Sequence, residues 1–147
     1  PCWPWLNSAV VTGLFVPAES GETFQATNAL GDIEETTLGG TVRFTWPSSN
    51  EEEELAEPAT YELIGTPNGD SSLFVVFADT TSGGQSYGGG RFLVLSAPDA
   101  NGEVTIDFNR SVNPPCAFTP FATCPRPPQQ NRLPFPVTAG EKTPREH

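Results

Sequence analysis

Glycine and proline, 14 and 16 of the 147 residues, interrupt the chain about every fifth position. That punctuation excludes a fold built on long helices and favours short strands joined by turns, because proline fixes φ and removes a donor while glycine leaves regular structure readily. A chain of this length suits one domain, 1–147, large enough to bury roughly 70% of its unfolded surface around a single core without staples.

Between the breakers lie recognisable strands. Phe24 to Asn28 and Asp32 to Thr37 flank Gly31, and Thr41 to Trp46 alternates strictly before Pro47, which predicts Val42, Phe44 and Trp46 on one face with Arg43 and Thr45 outward. Tyr61 to Ile64 follows an acidic loop. Ser72 to Ala78 is a continuous apolar run bounded by turn residues, the pattern of a strand covered on both faces, and is expected at the centre of the sheet. Arg91 to Leu95 and Glu103 to Phe108 are joined by a segment whose Asn101-Gly102 predicts a hairpin turn. Leu133 to Thr138, broken by Pro134 and Pro136, fits only an edge strand or an extended flap. The expectation is an all-β fold, a single antiparallel β-sandwich or small barrel with a Pro-rich C-terminal strap. Residues 1–20 fit neither period and stay unassigned; 140–147 are expected to form a flexible tail.

The charge is −11, with one lysine, Lys142, against 18 acidic residues. Such a field repels nucleic acid and anionic membrane surfaces, so neither is an expected partner. The same composition keeps proteins soluble in concentrated salt, and a halophilic source is plausible. Glu51 to Glu54 read as a solvated loop. No stretch approaches a membrane helix and no signal-like segment opens the chain, so the expected location is cytoplasmic. The lack of methionine, even at position 1, predicts that the first residues were removed or never included.

Five motifs occur in order: F-A-D-T-T-S-G (77–83), Y-G-G-G-R-F (87–92), D-F-N-R (107–110), N-P-P-C-A-F (113–118) and C-P-R-P-P-Q-Q-N-R-L (124–133). Together they resemble the signature of the domain of unknown function 1684 family, bacterial and archaeal proteins with no established activity. The likeness covers the C-terminal half well and the first part only loosely; the Trp and Arg segment that opens family members is missing or replaced. Ser111-Val112 stands where Ala-Tyr is expected, which removes a phenol. The resemblance implies where a site lies and adds no mechanism.

Pairing the 73–78 and 91–95 strands would bring Asp79 and Arg91 to one end of the sheet as a charge pair. A period of two on the 104–110 strand puts Arg110 on the apolar face with Val104, Ile106 and Phe108, opposite Thr105, Asp107 and Asn109. One account is a buried ion-pair network of Asp79, Arg91, Asp107 and Arg110. The other leaves Arg91, Arg110 or Arg132 with donors for a carboxylate or other planar anion. The glycines around Tyr87 fit a wide hairpin better than a phosphate cradle, since no Walker lysine or dinucleotide fingerprint is present.

Cys116 and Cys124 bound a nine-residue loop whose disulfide would contribute roughly 2.5 kcal/mol; reduced, they would pack under the Pro114-Pro115 turn. A zinc site lacks ligands, because the only histidine is His147 and Cys2 has no partner spacing, so no metal and no cofactor is expected. Histidine-dependent nucleophiles are excluded for the same reason. An enzyme would have to use Cys116 or an Asp79/Asp107 carboxylate pair.

The expected activity is binding of a small polar or anionic ligand between the 79–91 loop and the 107–132 segment. The expected site comprises Asp79, Tyr87, Arg91, Asp107, Asn109, Arg110, Asn113, Cys116, Asn131 and Arg132, with Phe92, Phe108, Phe118 and Phe121 as apolar walls. A purely structural role, a strap locked over a sheet edge, is the remaining alternative.

Overall fold

A computed structural model describes residues 1–28, 30–46, 59–69, 72–119 and 124–144. Eight strands form: β1 Val10–Pro17, β2 Thr23–Thr27, β3 Ile33–Thr37, β4 Gly40–Trp46, β5 Ala59–Pro67, β6 Leu73–Phe77, β7 Arg91–Leu95 and β8 Glu103–Asp107. Six of them make one antiparallel sheet in the order β7-β6-β5-β4-β1-β8, and β2 with β3 forms a separate hairpin. The outer strands curl towards each other: Phe92 of β7 exchanges backbone hydrogen bonds of 2.8 and 3.0 Å with Val112, just past β8. The all-β expectation holds, on its barrel side: a curled half-barrel whose concave face holds the core. No helix among the described residues is long and apolar enough to cross a membrane.

Alternation decides which side chains enter that core. On β4, Val42 and Phe44 are buried while Arg43 and Thr45 are exposed, as the spacing predicts, and Arg43 meets Glu62 across the outer face at 3.0 Å. Trp46 stacks on Phe135 with centroids 4.7 Å apart and meets Phe108 edge-on at 5.6 Å, so the strap after β8 plugs one end of the half-barrel.

Several expectations need correction. β6 lies next to the edge, and the centre is taken by β5 and β4. Its apolar run is nevertheless explained, since Leu73, Val75 and Phe77 enter the core while Phe74 and Val76 line a second apolar space beneath the β2–β3 hairpin. The Asn101-Gly102 turn forms, with Gly102 at φ 75°, yet β7 and β8 do not pair there; they lie at opposite ends of the sheet. The unassigned opening contains β1, which pairs with both β4 and β8; Pro4 and Pro17 bracket it, but its outward Leu14 and Val16 blur the alternation. The expected tail is anchored as far as Thr143: the Lys142 amide donates to the Pro1 carbonyl and the Thr143 amide to that of Gln85. The Glu51 to Glu54 loop and residues 145–147 lie outside the described residues.

Candidate functional site

The strap, residues 124–139, crosses the ends of β5, β6 and β7, and most polar residues in its path hold it there. Arg91 and Asp79 do form the expected pair, 3.5 Å apart and sealed from solvent. The guanidinium also donates to the carbonyls of Val137, at 2.9 Å, and Ala139, while Asp79 accepts from Thr81 Oγ1 at 2.9 Å and from the Val137 amide. Burial pulls the Arg91 pKa down and the Asp79 charge opposes that pull. Every one of these contacts is internal, and neither side chain is open to solvent.

Asn131 has an equally structural duty. β5 and β6 pair only at Thr66 with Phe74 and Pro67 with Leu73, and then diverge. Into that split Asn131 inserts its amide: Oδ1 accepts from the Ile64 amide at 2.8 Å, and Nδ2 donates to the Ile64 and Val76 carbonyls at 2.8 and 2.9 Å. One side chain thus replaces the missing rungs of a ladder.

At the end of β8 the chain tightens into a 3-10 turn over Phe108–Arg110, which breaks the period of two. Arg110 therefore points to solvent, 80% exposed, with Asp107 beside it at 3.5 Å; it does not enter the apolar face. Asp107 caps the turn by accepting from the Asn109 amide at 3.1 Å. Asn109 itself pins the N-terminal segment through Leu6, accepting from its amide and donating to its carbonyl. The Asn113 amide donates to Glu141 at 2.7 Å and its Nδ2 to the Lys142 carbonyl at 2.9 Å. The single network of Asp79, Arg91, Asp107 and Arg110 is thus two separate pairs, one buried and one on the surface, and no hydrogen bond joins Asp79 to Asp107 among the described residues. The expected walls do not assemble either. Phe108 is in the core, Phe92 packs edge-on against Phe74 at 4.8 Å, Phe118 is 63% exposed, and Phe121 lies outside the described residues.

The hollow that does exist, about 340 Å³, is shifted towards the tip of the loop. Tyr87, Gly88 and Gly89 form one wall and Pro114 with Cys116 the next. Cys124, Pro125, Arg126, Pro127 and Arg132 of the strap close it. Of the ten expected site residues it gathers Tyr87, Cys116 and Arg132. Gly89 lets the Tyr87 ring lie against its own loop, since a Cβ there would stand 2.5 Å from the ring. Tyr87 Oη donates across the hollow to the Cys116 carbonyl at 3.3 Å, and the Cys116 amide donates to Cys124 Sγ at 3.3 Å.

No disulfide joins Cys116 to Cys124. The hydrogen bond with Cys124, helped by burial, pushes the Cys116 thiol above its ordinary pKa. Burial and then the two cysteines raise the Tyr87 phenol, and the Arg126 charge opposes them, which places that guanidinium within electrostatic reach of the phenol. A thiol whose pKa is raised offers less of the nucleophilic thiolate at a given pH than an ordinary cysteine does. The described residues contain no group of three or more histidine, cysteine or carboxylate side chains able to hold a metal ion.

Arg126 is the residue that strand-based reading missed. It stands between Pro125 and Pro127, which keep the backbone extended and supply no amide donors of their own, so the side chain is presented from a stiff strap. That Pro-Arg-Pro spacing was the available signal.

A search of curated proteins gives no match. Among solved structures, the chain is similar to the solution NMR structure of an uncharacterised protein of Haloarcula marismortui, 29% identical with a TM-score of 0.73, over 100% of this chain and 77% of that one. The family model for DUF1684, proteins of unknown function, matches residues 1–142, well beyond the C-terminal motifs that first point to it. The chain belongs to the DUF1684 family.

Proposed function

We propose that this protein binds a small anion, a carboxylate or phosphate-like group, in the hollow between the Tyr87 loop and the strap. The observation that carries the reading is the charge of the lining. In a chain of 18 acidic and seven basic residues, the described residues that line this cavity include two arginines and no carboxylate. Arg132 is exposed, and its guanidinium makes no hydrogen bond or ion pair among the described residues, so its planar donor fork is available to an anion. A local positive site inside a negative field attracts an anion that the rest of the surface repels. The Tyr87 ring, held by its hydroxyl donating to the Cys116 carbonyl, adds a fixed aromatic wall, and Pro114 and Pro127 add rigid apolar ones. The acidic composition and the likeness to a Haloarcula marismortui protein support a salt-rich setting.

Calorimetric titration at low ionic strength with acetate, phosphate and citrate, with acetamide as the neutral control, tests the reading. At least one anion is expected to bind, at least tenfold more weakly to Arg132→Gln and progressively more weakly as salt is added. Binding of no anion, or equal responses to acetate and acetamide, would overturn it.

A further inference from the structure

We infer that the anion site continues past Arg126 into a second, apolar compartment beneath the β2–β3 hairpin, and that the ligand is an amphipathic monoanion such as an aromatic or short-chain carboxylate. This rests on the anion reading and adds what the other end of the ligand is.

The compartment follows from how the hairpin is attached. β2 and β3 share no ladder with the main sheet. The hairpin is tied to the strap instead, through the Arg126 amide donating to the Thr27 carbonyl at 2.6 Å and a bridge between Asn28 and Pro125. Suspended in this way, Phe24 and Ala26 face Ile64, Phe74 and Val76 on the convex side of the sheet across an open space of about 210 Å³. A well-packed second layer would close such a gap, because an unfilled void forfeits contacts on every wall.

The lining is mainly apolar. Its one amide, that of Asn131, is already committed to the Ile64 and Val76 backbone, and Thr66 Oγ1 donates to the Phe74 carbonyl at 3.4 Å. An apolar cavity of about 150 Å³ stays empty of water and admits benzene. The larger space here fits a substituted ring or a short alkyl chain. Pro125 and Arg126 border both this compartment and the anion hollow. An acid group held at Arg132 therefore has the apolar space next to it, across the Pro125-Arg126 segment of the strap.

The test is a calorimetric series of acetate, butanoate, hexanoate and phenylacetate, with hexanol as the neutral counterpart, on the wild type, Arg132→Gln and Ala26→Phe, the last chosen to fill the compartment from β2. Affinity is expected to rise about fourfold for each methylene that enters. Phenylacetate is expected to bind at least tenfold more tightly than acetate, and hexanol far more weakly than hexanoate. Ala26→Phe should abolish the gain with size while acetate binding persists. Acetate binding that responds to Arg132→Gln but shows no gain with size overturns the apolar compartment and leaves the anion reading standing. Failure of every anion in the series overturns both. Because the size series on the wild type is decisive by itself, a poorly folding Ala26→Phe would not rescue the inference.

Discussion

The Arg91 guanidinium lies 3.5 Å from the Asp79 carboxylate with both side chains shut off from solvent, at 1% and 0% exposure. Removing one member leaves the other charge buried without its partner. Arg91→Met also strips donors from the Val137 and Ala139 carbonyls. Losses of about 3–5 kcal/mol in urea denaturation are expected for Arg91→Met. Arg91→Lys is not expected to restore the wild-type value, because a single ammonium cannot span the same carbonyls in the same plane.

Asn131→Ala leaves three backbone groups, on Ile64 and Val76, without partners where β5 and β6 part. Each unpaired buried group costs roughly 1–3 kcal/mol. A loss above about 3 kcal/mol is therefore expected in equilibrium denaturation, with Asn131→Asp at least as damaging, since a carboxylate would face two carbonyl oxygens. Hydrogen exchange should show the Ile64 amide losing protection first; unchanged protection there would contradict the clamp.

Much of this architecture is legible in residue order because strand periods are local. The strict alternation of 41–46 and the Asp79 and Arg91 ends of β6 and β7 follow from spacing alone. The errors arise where the chain leaves the period or where topology is non-local. Arg110 lands outside because three residues of 3-10 turn rotate it away, which a count by twos cannot register. β6 reads as central because both of its faces are covered, and burial does not distinguish a second-row strand lying under a hairpin from a middle one. At the site, Tyr87, Cys116 and Arg132 are found by residue type. Asn131 looks like a ligand donor and is a ladder substitute, a role visible only once the divergence of β5 from β6 is known. Arg126 escapes notice because it sits on no periodic element.

Cys116 offers a test of local electrostatics by pH. Its reactive form is the thiolate, and the hydrogen bond with Cys124 raises its pKa, so its rate of alkylation should climb only at pH values above those of an ordinary thiol. Cys124→Ala removes the main cause of the shift. Its profile should move to lower pH and Cys116 should label faster at neutral pH. Iodoacetamide labelling followed by mass spectrometry reads both curves; coincident profiles would show that the two thiols do not interact.

Gly90 joins the core to the hollow beside Tyr87 through backbone geometry. It has φ 91°, and a Cβ there would stand 2.6 Å from both the Phe77 carbonyl oxygen and Pro127 Cγ. The first contact is with backbone at the end of β6 and cannot yield cheaply, while the second pushes on the wall of the hollow itself. Gly90→Ala therefore combines left-handed strain of about 1 kcal/mol or more with a displaced strap. The expected outcome is a lower thermal midpoint together with weaker anion binding at temperatures where the variant is still folded. Gly102→Ala serves as the control, since its φ is 75° but a Cβ there meets nothing within 4 Å. That variant should lose stability through strain alone and keep the wild-type affinity, because no wall of the hollow moves. If both glycine variants bind alike, Pro127 does not shape the site.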